Sequence, residues 1–239
     1  MNRRLPNFLI IGEQKCGTTS LNRMLSKHPN IFVPTKEVHF YDRYFQNGLT
    51  WYKNRFNDAD KRELCGEKTP NYLFFRECLD RIKDNQPNIK MIIMLREPAA
   101  RAVSYYRSNK NIYVKNFFDA VEKGIEIING PCTLQDYNEF HFVQRGIYYD
   151  SIKYCLDLFP KDNIRIIPLE QFIKTPQKYL NMLQNFLNVK RKRLRLMKVN
   201  TAKRKDKTSE EEKDYLKIFY KEHNEKLFEL LGYKIKEWA

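Results

Sequence analysis

Lys15 lies in a short segment bounded by two glycines, Gly12 and Gly17. The apolar run at 8–11 predicts a buried strand before this segment, and apolar residues at helical spacing predict a helix after it. The first amides of a helix have no partner within the helix, and the helix dipole places partial positive charge there. Hydroxyl donors stand at the same helix start, at Thr18, Thr19 and Ser20. The segment therefore predicts a phosphate-binding loop.

The spacing of the two glycines matches the nucleoside triphosphate loop G-x-x-x-x-G-K-[ST]. Thr18, however, stands where that pattern has lysine, and Lys15 lies two residues before the second glycine. The lysine would thus reach a phosphate from a different side. A nucleotide kinase or ATPase remains an alternative at this point, and so does a tight turn that binds no ligand.

Two further segments carry residues suited to acid–base or anion chemistry. Glu37 precedes the aromatic stretch 38–45 and His39 lies within it; such surroundings shift the pKa values of ionisable residues in catalytic sites. The glycine and proline of segment 66–72 predict a loop. Lys68 lies in that segment and is a candidate for a second anion contact, although an exposed surface lysine is the alternative.

An arginine follows the most apolar strand candidate, at 90–95. Arg96 would lie at the carboxyl end of that strand, where open parallel sheets bind ligands, and its guanidinium suits a phosphate. Pro98 is compatible with the first turn of a helix, and Ser104 follows about two helical turns after Arg96. An ion pair between Arg96 and Glu97 is the alternative interpretation.

The alternation of further elements predicts an α/β fold with a central parallel sheet and helices on both faces. Short strands are expected at 31–33 and 164–168, and helices at 151–158 and 176–187. A last helix should begin at a capping box of Ser209 and Glu212 and end at Gly232. With 239 residues, we expect a single domain over 1–239.

The charge of the chain indicates an anionic partner. The formal net charge is +15, and segment 190–207 is rich in lysine and arginine. A phosphate-rich cofactor, an acidic glycan, a nucleic acid and a membrane surface all fit such a charge. We expect the segment itself to be an exposed loop or a flexible arm. A nucleic-acid-binding protein that uses it is a further alternative.

The cysteine pattern and the hydropathy of the sequence indicate the cellular compartment. The five cysteines form no C-x-x-C pair, so neither a zinc site nor a disulfide framework is indicated. Neither a long apolar segment near Met1 nor an apolar span of 18 residues occurs in the sequence,. We therefore expect a soluble cytoplasmic protein without stable membrane insertion.

Four ordered segments resemble those of the PAPS-dependent sulfotransferases, where PAPS is 3′-phosphoadenosine 5′-phosphosulfate. The segments are Gly12-x-x-Lys15-x-Gly17-Thr18-Thr19, Lys36-Glu37-Val38-His39-Phe40-Tyr41-Asp42, Glu67-Lys68-Thr69-Pro70-Asn71-Tyr72 and Leu95-Arg96-Glu97-Pro98-x-x-Arg101-Ala102-x-Ser104-x-Tyr106. The resemblance is closest to the heparan sulfate N- and 3-O-sulfotransferase domains. Two shorter matches to that branch are Gly48-Leu49-x-Trp51-Tyr52 and Gly146-Ile147-Tyr148.

The resemblance implies the P-loop-like sulfotransferase fold, with PAPS as sulfuryl donor, PAP as product and no metal. The residues that match the 5′-phosphosulfate loop are Lys15, Gly17, Thr18, Thr19 and Ser20. Those that match the 3′-phosphate pair are Arg96 and Ser104. Glu37 matches the catalytic carboxylate and Lys68 a lysine near the transferred group, while His39 is the competing base.

The activity implied is sulfuryl transfer to a hydroxyl or amine of a glycan, a lipid-linked or a small-molecule acceptor, with no nucleic-acid partner. The sequence departs from the heparan sulfate branch late in the domain. Segment 200–207 has neither the Lys-Gly-Arg loop nor the cysteine pair that are common there. No specific role is therefore transferred to its basic residues.

Overall fold

The computed structural model describes residues 4–59, 64–109, 112, 114, 116–131, 133, 138–196 and 209–238. The chain divides into two compact units, Met1–Leu95 with Tyr154–Asn200, and Arg96–Lys153 with Thr201–Ala239. The expected single domain over 1–239 stays a prediction. Among the described residues, no helix has both the length and the apolar character needed to cross a membrane.

The first unit contains a sheet of five parallel strands in the order β2-β3-β1-β4-β5. The strands are β1 Phe8–Gly12, β2 Ile31–Phe32, β3 Leu64–Lys68, β4 Lys90–Leu95 and β5 Ile164–Pro168. Because β1 is central, the loop that follows it opens at the middle of the carboxyl edge. This arrangement confirms the predicted α/β class with a parallel sheet.

Helices alternate with the strands along the chain. The α-helices are α1 Thr18–Leu25, α2 Phe40–Arg43, α3 Gly48–Lys53, α4 Asn71–Phe74, α5 Arg76–Asn85, α6 Pro98–Ser108, α7 Phe117–Asn129, α8 Tyr149–Leu158, α9 Leu169–Lys174, α10 Pro176–Phe186 and α11 Glu210–Leu231. Short 3₁₀ helices are Phe45–Asn47, Asn54–Ala59, Gln144–Gly146, Lys161–Asn163 and Lys236–Trp238. The predicted capping box of Ser209 and Glu212 is present, and Gly232 ends α11 in the left-handed conformation.

The core of the first unit follows from the alternation of side chains along buried strands. Phe8 and Ile10 of β1 share one face with Ile92 and Met94 of β4, and these side chains pack with apolar residues of α1, α9 and α10. All five residues of β1 are buried. The strand that leads into the predicted phosphate loop is therefore held firmly from both sides.

The prediction of a loop over 66–72 is wrong for residues 66–68. Leu64–Lys68 forms β3, which pairs in parallel with β1. Gly66 is there because of packing: a Cβ atom on Gly66 would lie 2.4 Å from the ring of Phe8. The glycine that suggested a turn instead makes room for an aromatic ring.

The second unit is helical. Helices α6, α7 and α11 enclose an apolar cluster that includes Ala102, Phe117, Val121 and Leu216. The weak periodicity of its sequence does not predict α7. Its interior glycine, Gly124, weakened the signal, but a Cβ atom there would lie 2.4 Å from Cγ2 of Val143, so close packing explains the residue.

Candidate active site

The loop between β1 and α1 has the backbone geometry of an anion site. Lys15 has φ 71° and Gly17 has φ 84°, both in the left-handed region. Left-handed residues within a turn direct successive N–H groups into a concave nest that suits anions. Gly17 is also the N-cap of the eight-residue helix α1, so the first amides of that helix open toward the same loop.

The three predicted hydroxyls differ in their surroundings. Thr18 and Ser20 are buried, whereas Thr19 is half-buried. Thr19 Oγ1 lies 3.4 Å from Nζ of Lys68. Thr19 therefore links the first turn of α1 to the last residue of β3.

Lys68 and Glu37 form an ion pair beside this loop. Nζ of Lys68 donates to Oε1 of Glu37 at 2.5 Å. The lysine side chain is almost completely buried, whereas the Glu37 side chain is 33% exposed. Register explains the position of Lys68: it pairs with Ile10 on the central strand, so its side chain emerges beside the loop.

His39 lies between two carboxylates. Its Nε2 is 3.0 Å from Oε2 of Glu37, and its Nδ1 is 2.8 Å from Oδ2 of Asp42. The backbone of His39 has φ 54°, a left-handed conformation that is uncommon for a residue other than glycine. Its N–H donates to Oγ1 of Thr69 at 3.3 Å, which helps to hold this conformation.

Two amide side chains close these contacts into a ring. Nδ2 of Asn71 donates to Oδ2 of Asp42 at 3.1 Å, and Nε2 of Gln14 donates to Oδ1 of Asn71 at 2.9 Å. The contacts form a ring that begins at Gln14 in the phosphate loop and ends at Thr19, just after that loop. Its members, in order, are Gln14, Asn71, Asp42, His39, Glu37, Lys68 and Thr19. We call this set the polar ring.

The charges in the polar ring shift the pKa values of its members. Burial disfavours the Glu37 carboxylate, but hydrogen bonds from His39 and Lys68 outweigh burial and lower its pKa to about 2,. Hydrogen bonds to Asp42 and Glu37 raise the pKa of His39 to about 9. At neutral pH, His39 is therefore an imidazolium that donates to two carboxylates.

Glu67 is a buried carboxyl group whose role the sequence pattern does not predict. It accepts hydrogen bonds from Tyr52 at 2.5 Å, Tyr72 at 3.1 Å and Thr69 at 3.0 Å. Burial raises its pKa to about 7, against the effect of these donors. Since Oγ1 of Thr69 also accepts from the His39 amide, Glu67 helps to hold the polar ring in place. Buried tyrosine hydroxyls need acceptors, which is the signal that points to such a residue.

The predicted 3′-phosphate residues lie in the second unit. Arg96 directly follows β4, and its carbonyl oxygen accepts a hydrogen bond from the Tyr148 hydroxyl at 2.8 Å. Ser104 is a half-buried residue of α6. Glu97 caps α6 by accepting from the amides of Ala99 at 2.9 Å and Ala100 at 2.6 Å. A joint role of Arg96 and Ser104 on one phosphate stays a prediction.

Comparison with known proteins identifies the family. The sequence model of the sulfotransferase domain family matches residues 5–229 of this chain. This chain belongs to the sulfotransferase family. A solved sulfotransferase from Alicyclobacillus acidocaldarius is 25% identical, with a TM-score of 0.79 over 98% of this chain and 99% of that chain.

Curated sulfotransferases are longer than this chain. The membrane-associated sulfotransferase kil1 of Dictyostelium discoideum is 25% identical over 312 residues, which cover 97% of this chain and 66% of kil1. Human heparan sulfate glucosamine 3-O-sulfotransferase 3B1 is 31% identical over 192 residues, which cover 80% of this chain and 48% of the human protein. The chain thus spans about half to two thirds of the length of these relatives.

Family membership confirms the predicted resemblance to sulfotransferases, and the bacterial structure confirms the fold. Membership of the sulfotransferase family does not favour the kinase or ATPase alternative, nor the nucleic-acid-binding one. Within the described part of the chain, no group of three or more His, Cys, Asp or Glu side chains is placed to hold a metal ion. The individual roles of Lys15, Glu37, His39 and Lys68 stay predictions.

Proposed function

We propose that this chain transfers a sulfuryl group from PAPS to a hydroxyl or amine of an acceptor and releases PAP. The observation that carries the proposal is the polar ring, which joins the phosphate loop to Glu37, His39 and Lys68. An anion site and an acid–base group thus occur in one connected network, as a group transfer from a phosphate requires.

The phosphate loop suits the 5′ end of the donor. Its left-handed residues and the start of α1 supply backbone N–H groups, and Lys15 supplies a full positive charge. The proposed donor-binding residues are Lys15, Gly17, Thr18, Thr19 and Ser20 for the 5′-phosphosulfate, and Arg96 and Ser104 for the 3′-phosphate. This assignment rests on the resemblance of the motifs and on the shape of the loop.

Sulfuryl transfer is accelerated by cations placed near the atom on which negative charge develops. PAPS supplies a sulfuryl group attached to a phosphate leaving group, and negative charge grows on the bridging oxygen during transfer. Lys15 and the loop amides are proposed to stabilise this charge, and Lys68 to assist them. Preorganised donors of this kind are worth most in a site that excludes water.

Glu37 is the proposed general base. His39 is protonated in the resting state and donates through both ring nitrogens, so it has no lone pair to accept a proton,. Glu37 is a weak base while Lys68 and His39 both donate to it. If Lys68 turns from Glu37 to the donor, one of these hydrogen bonds is lost and the pKa of Glu37 rises. We propose this exchange as the step that activates the base.

The proposed acceptor is a glycan, with a lipid-linked or small-molecule acceptor as the second candidate. The similarity to heparan sulfate glucosamine 3-O-sulfotransferases over 80% of this chain favours the glycan. The proposed compartment is the cytoplasm. The described cysteines Cys16, Cys65, Cys78 and Cys155 are buried free thiols, which are usual in a reducing environment.

Two measurements test the proposal. Thermal unfolding with PAP, and separately with ATP and magnesium, should show a clear rise of the midpoint with PAP alone. Incubation with sulfur-labelled PAPS and a panel of glycans, lipid extracts and phenols should then label one class. Stabilisation by ATP and magnesium without any effect of PAP would refute the proposed function.

A further inference from the structure

A row of cations lies outside the candidate active site. It comprises the exposed residues Lys190, Arg191, Lys192, Arg193 and Arg195. We call segment 190–195 the basic ridge. It follows α10 in the first unit, and the sulfotransferase function proposed above makes no use of it.

The backbone of the basic ridge is fixed by buried side chains. The fully buried Gln184 accepts from the amide of Lys192 at 2.6 Å and donates to the carbonyl oxygen of the same residue at 3.1 Å. Leu194 is 4% exposed and belongs to the core. Of the two expected forms, this part of the segment is the exposed loop; residues 197–207 lie outside the described residues.

A buried histidine holds the start of the ridge. Nδ1 of His28 accepts from the amide of Asn30 at 3.1 Å, so its Nε2 carries the proton and donates to the carbonyl oxygen of Lys190 at 2.9 Å. His28 follows the last turn of α1, whereas the phosphate loop precedes the first turn. The eight residues of α1 separate the two by about 12 Å,.

The charge of the ridge is not neutralised within the described part of the chain. No carboxylate there forms an ion pair with its five cations, and Arg191 Nε binds the neutral Oδ1 of Asn185 at 2.6 Å. Two more cations flank the nearby ring of Phe186, Lys90 at 5.4 Å and Arg165 at 4.5 Å from its centroid. A group of like charges without carboxylate partners favours a bound anionic partner.

The exposure of the ridge indicates the kind of partner. Residues 190–193 are consecutive and all exposed. Residues 191–196 form neither helix nor strand, and each of the cations at 190–193 is open to solvent. Single-stranded polyanions are held in basic grooves that enclose the strand, whereas an open row of exposed cations suits an extended anionic surface. Leu196, which is 50% exposed, directly follows Arg195 and adds an apolar side chain at its end.

We propose that the basic ridge docks the protein on a membrane surface rich in anionic phospholipids, without spanning the bilayer. Cations near such a surface attract it electrostatically, and an adjacent apolar side chain adds contact with the acyl boundary. Because the ridge begins at the far end of α1 from the phosphate loop, docking leaves that loop open to the donor.

The test compares two triple variants with equal loss of charge. The ridge variant is Lys190→Gln/Lys192→Gln/Arg193→Gln. The control variant is Lys221→Gln/Lys226→Gln/Lys234→Gln, which removes three exposed lysines of the second unit. Co-sedimentation is measured with vesicles of phosphatidylcholine alone and of phosphatidylcholine mixed with phosphatidylserine. Thermal midpoints and PAP binding check that both variants fold.

We expect the wild-type protein to bind only the phosphatidylserine vesicles, with binding that falls as salt rises. The ridge variant should bind about 100-fold more weakly, at about fivefold per cation removed, and the control variant less than about fourfold more weakly. Equal losses in both variants, or no vesicle binding by the wild type, would overturn the proposal. So would a ridge variant that loses binding to heparin or duplex DNA but keeps vesicle binding.

Discussion

The ammonium group of Lys68 lies 2.5 Å from Oε1 of Glu37, so two residues with proposed catalytic roles neutralise each other in the resting protein. The pair keeps a buried lysine and a partly buried carboxylate satisfied until substrate arrives. Together with the larger effect of the hydrogen bond from His39, it keeps the pKa of Glu37 at about 2, far too low for efficient proton abstraction near neutral pH. The same contact therefore stabilises the site and restrains its base.

Replacement of Glu37 by glutamine should separate binding from chemistry. Glutamine keeps the size of the side chain but cannot accept the acceptor proton, so we expect sulfuryl transfer to fall by about 10²–10⁴-fold. PAP affinity, measured by calorimetry, should stay within a factor of about three. His39→Ala is the matched comparison. If His39→Ala loses turnover and Glu37→Gln retains it, the base is His39.

Replacement of Lys15 by alanine should affect the transition state more than the bound product. The variant loses the positive side-chain charge of the phosphate loop, and we expect transfer to fall by about 10²–10³-fold, as for the loss of an oxyanion donor. Lys27→Ala is the control, because Lys27 is an exposed residue beyond the end of α1. Rates from labelled PAPS that are equal for both variants would remove Lys15 from the mechanism.

Replacement of Arg96 by alanine should discriminate between two nucleotides. PAP carries the 3′-phosphate and adenosine 5′-phosphosulfate does not, so only PAP should lose a charge-assisted contact. Such a contact is worth about 1.5–3 kcal/mol, which corresponds to about 10–150-fold in Kd. Calorimetry with both ligands measures the difference. Equal weakening of both would show that Arg96 does not recognise the 3′-phosphate.

The sequence predicted the parts of the site that depend on local patterns. The loop around Lys15 was recognisable because a buried strand, two glycines and an amphipathic helix follow one another. Glu67 was not, because its partners Tyr52 and Tyr72 reach it only through tertiary packing. Gly66 misled the prediction, since a glycine that makes room for a ring looks the same as one that makes a turn. Gln14 and Asn71 become relevant only when the polar ring closes.

The stability of the protein should depend on His39 in a defined pH window. Its folded pKa is raised to about 9 from the ordinary 6.5, so its contribution is fully present below 6.5 and is lost as pH rises through 9. The difference in urea midpoint between the wild type and His39→Gln should therefore shrink between about pH 7 and about pH 10.

A second histidine provides the control for that experiment. Burial lowers the pKa of His223, so this group is neutral in both folded and unfolded states above about pH 8. The difference between the wild type and His223→Gln should stay constant over the alkaline half of the window. A His39→Gln difference that is equally constant would mean that His39 is not an imidazolium in the folded protein.

Gly17→Ala should damage the phosphate loop for two separable reasons. Alanine is strained at φ 84°, and its Cβ atom would lie 2.6 Å from Cδ1 of Leu169. The left-handed conformation costs about 1–2 kcal/mol and the overpacking about 1–3 kcal/mol. Unfolding in urea and PAP binding should both weaken.

A double-mutant cycle with Leu169→Ala separates the two costs of Gly17→Ala. Removing the leucine side chain relieves the overpacking but leaves the backbone strain, so the double variant should be more stable than the sum of the single effects by about 1–3 kcal/mol. PAP affinity should recover only in part, because the N-cap of α1 stays distorted. Strictly additive free energies would mean that Leu169 does not support the loop, and that backbone strain alone makes glycine necessary at this position.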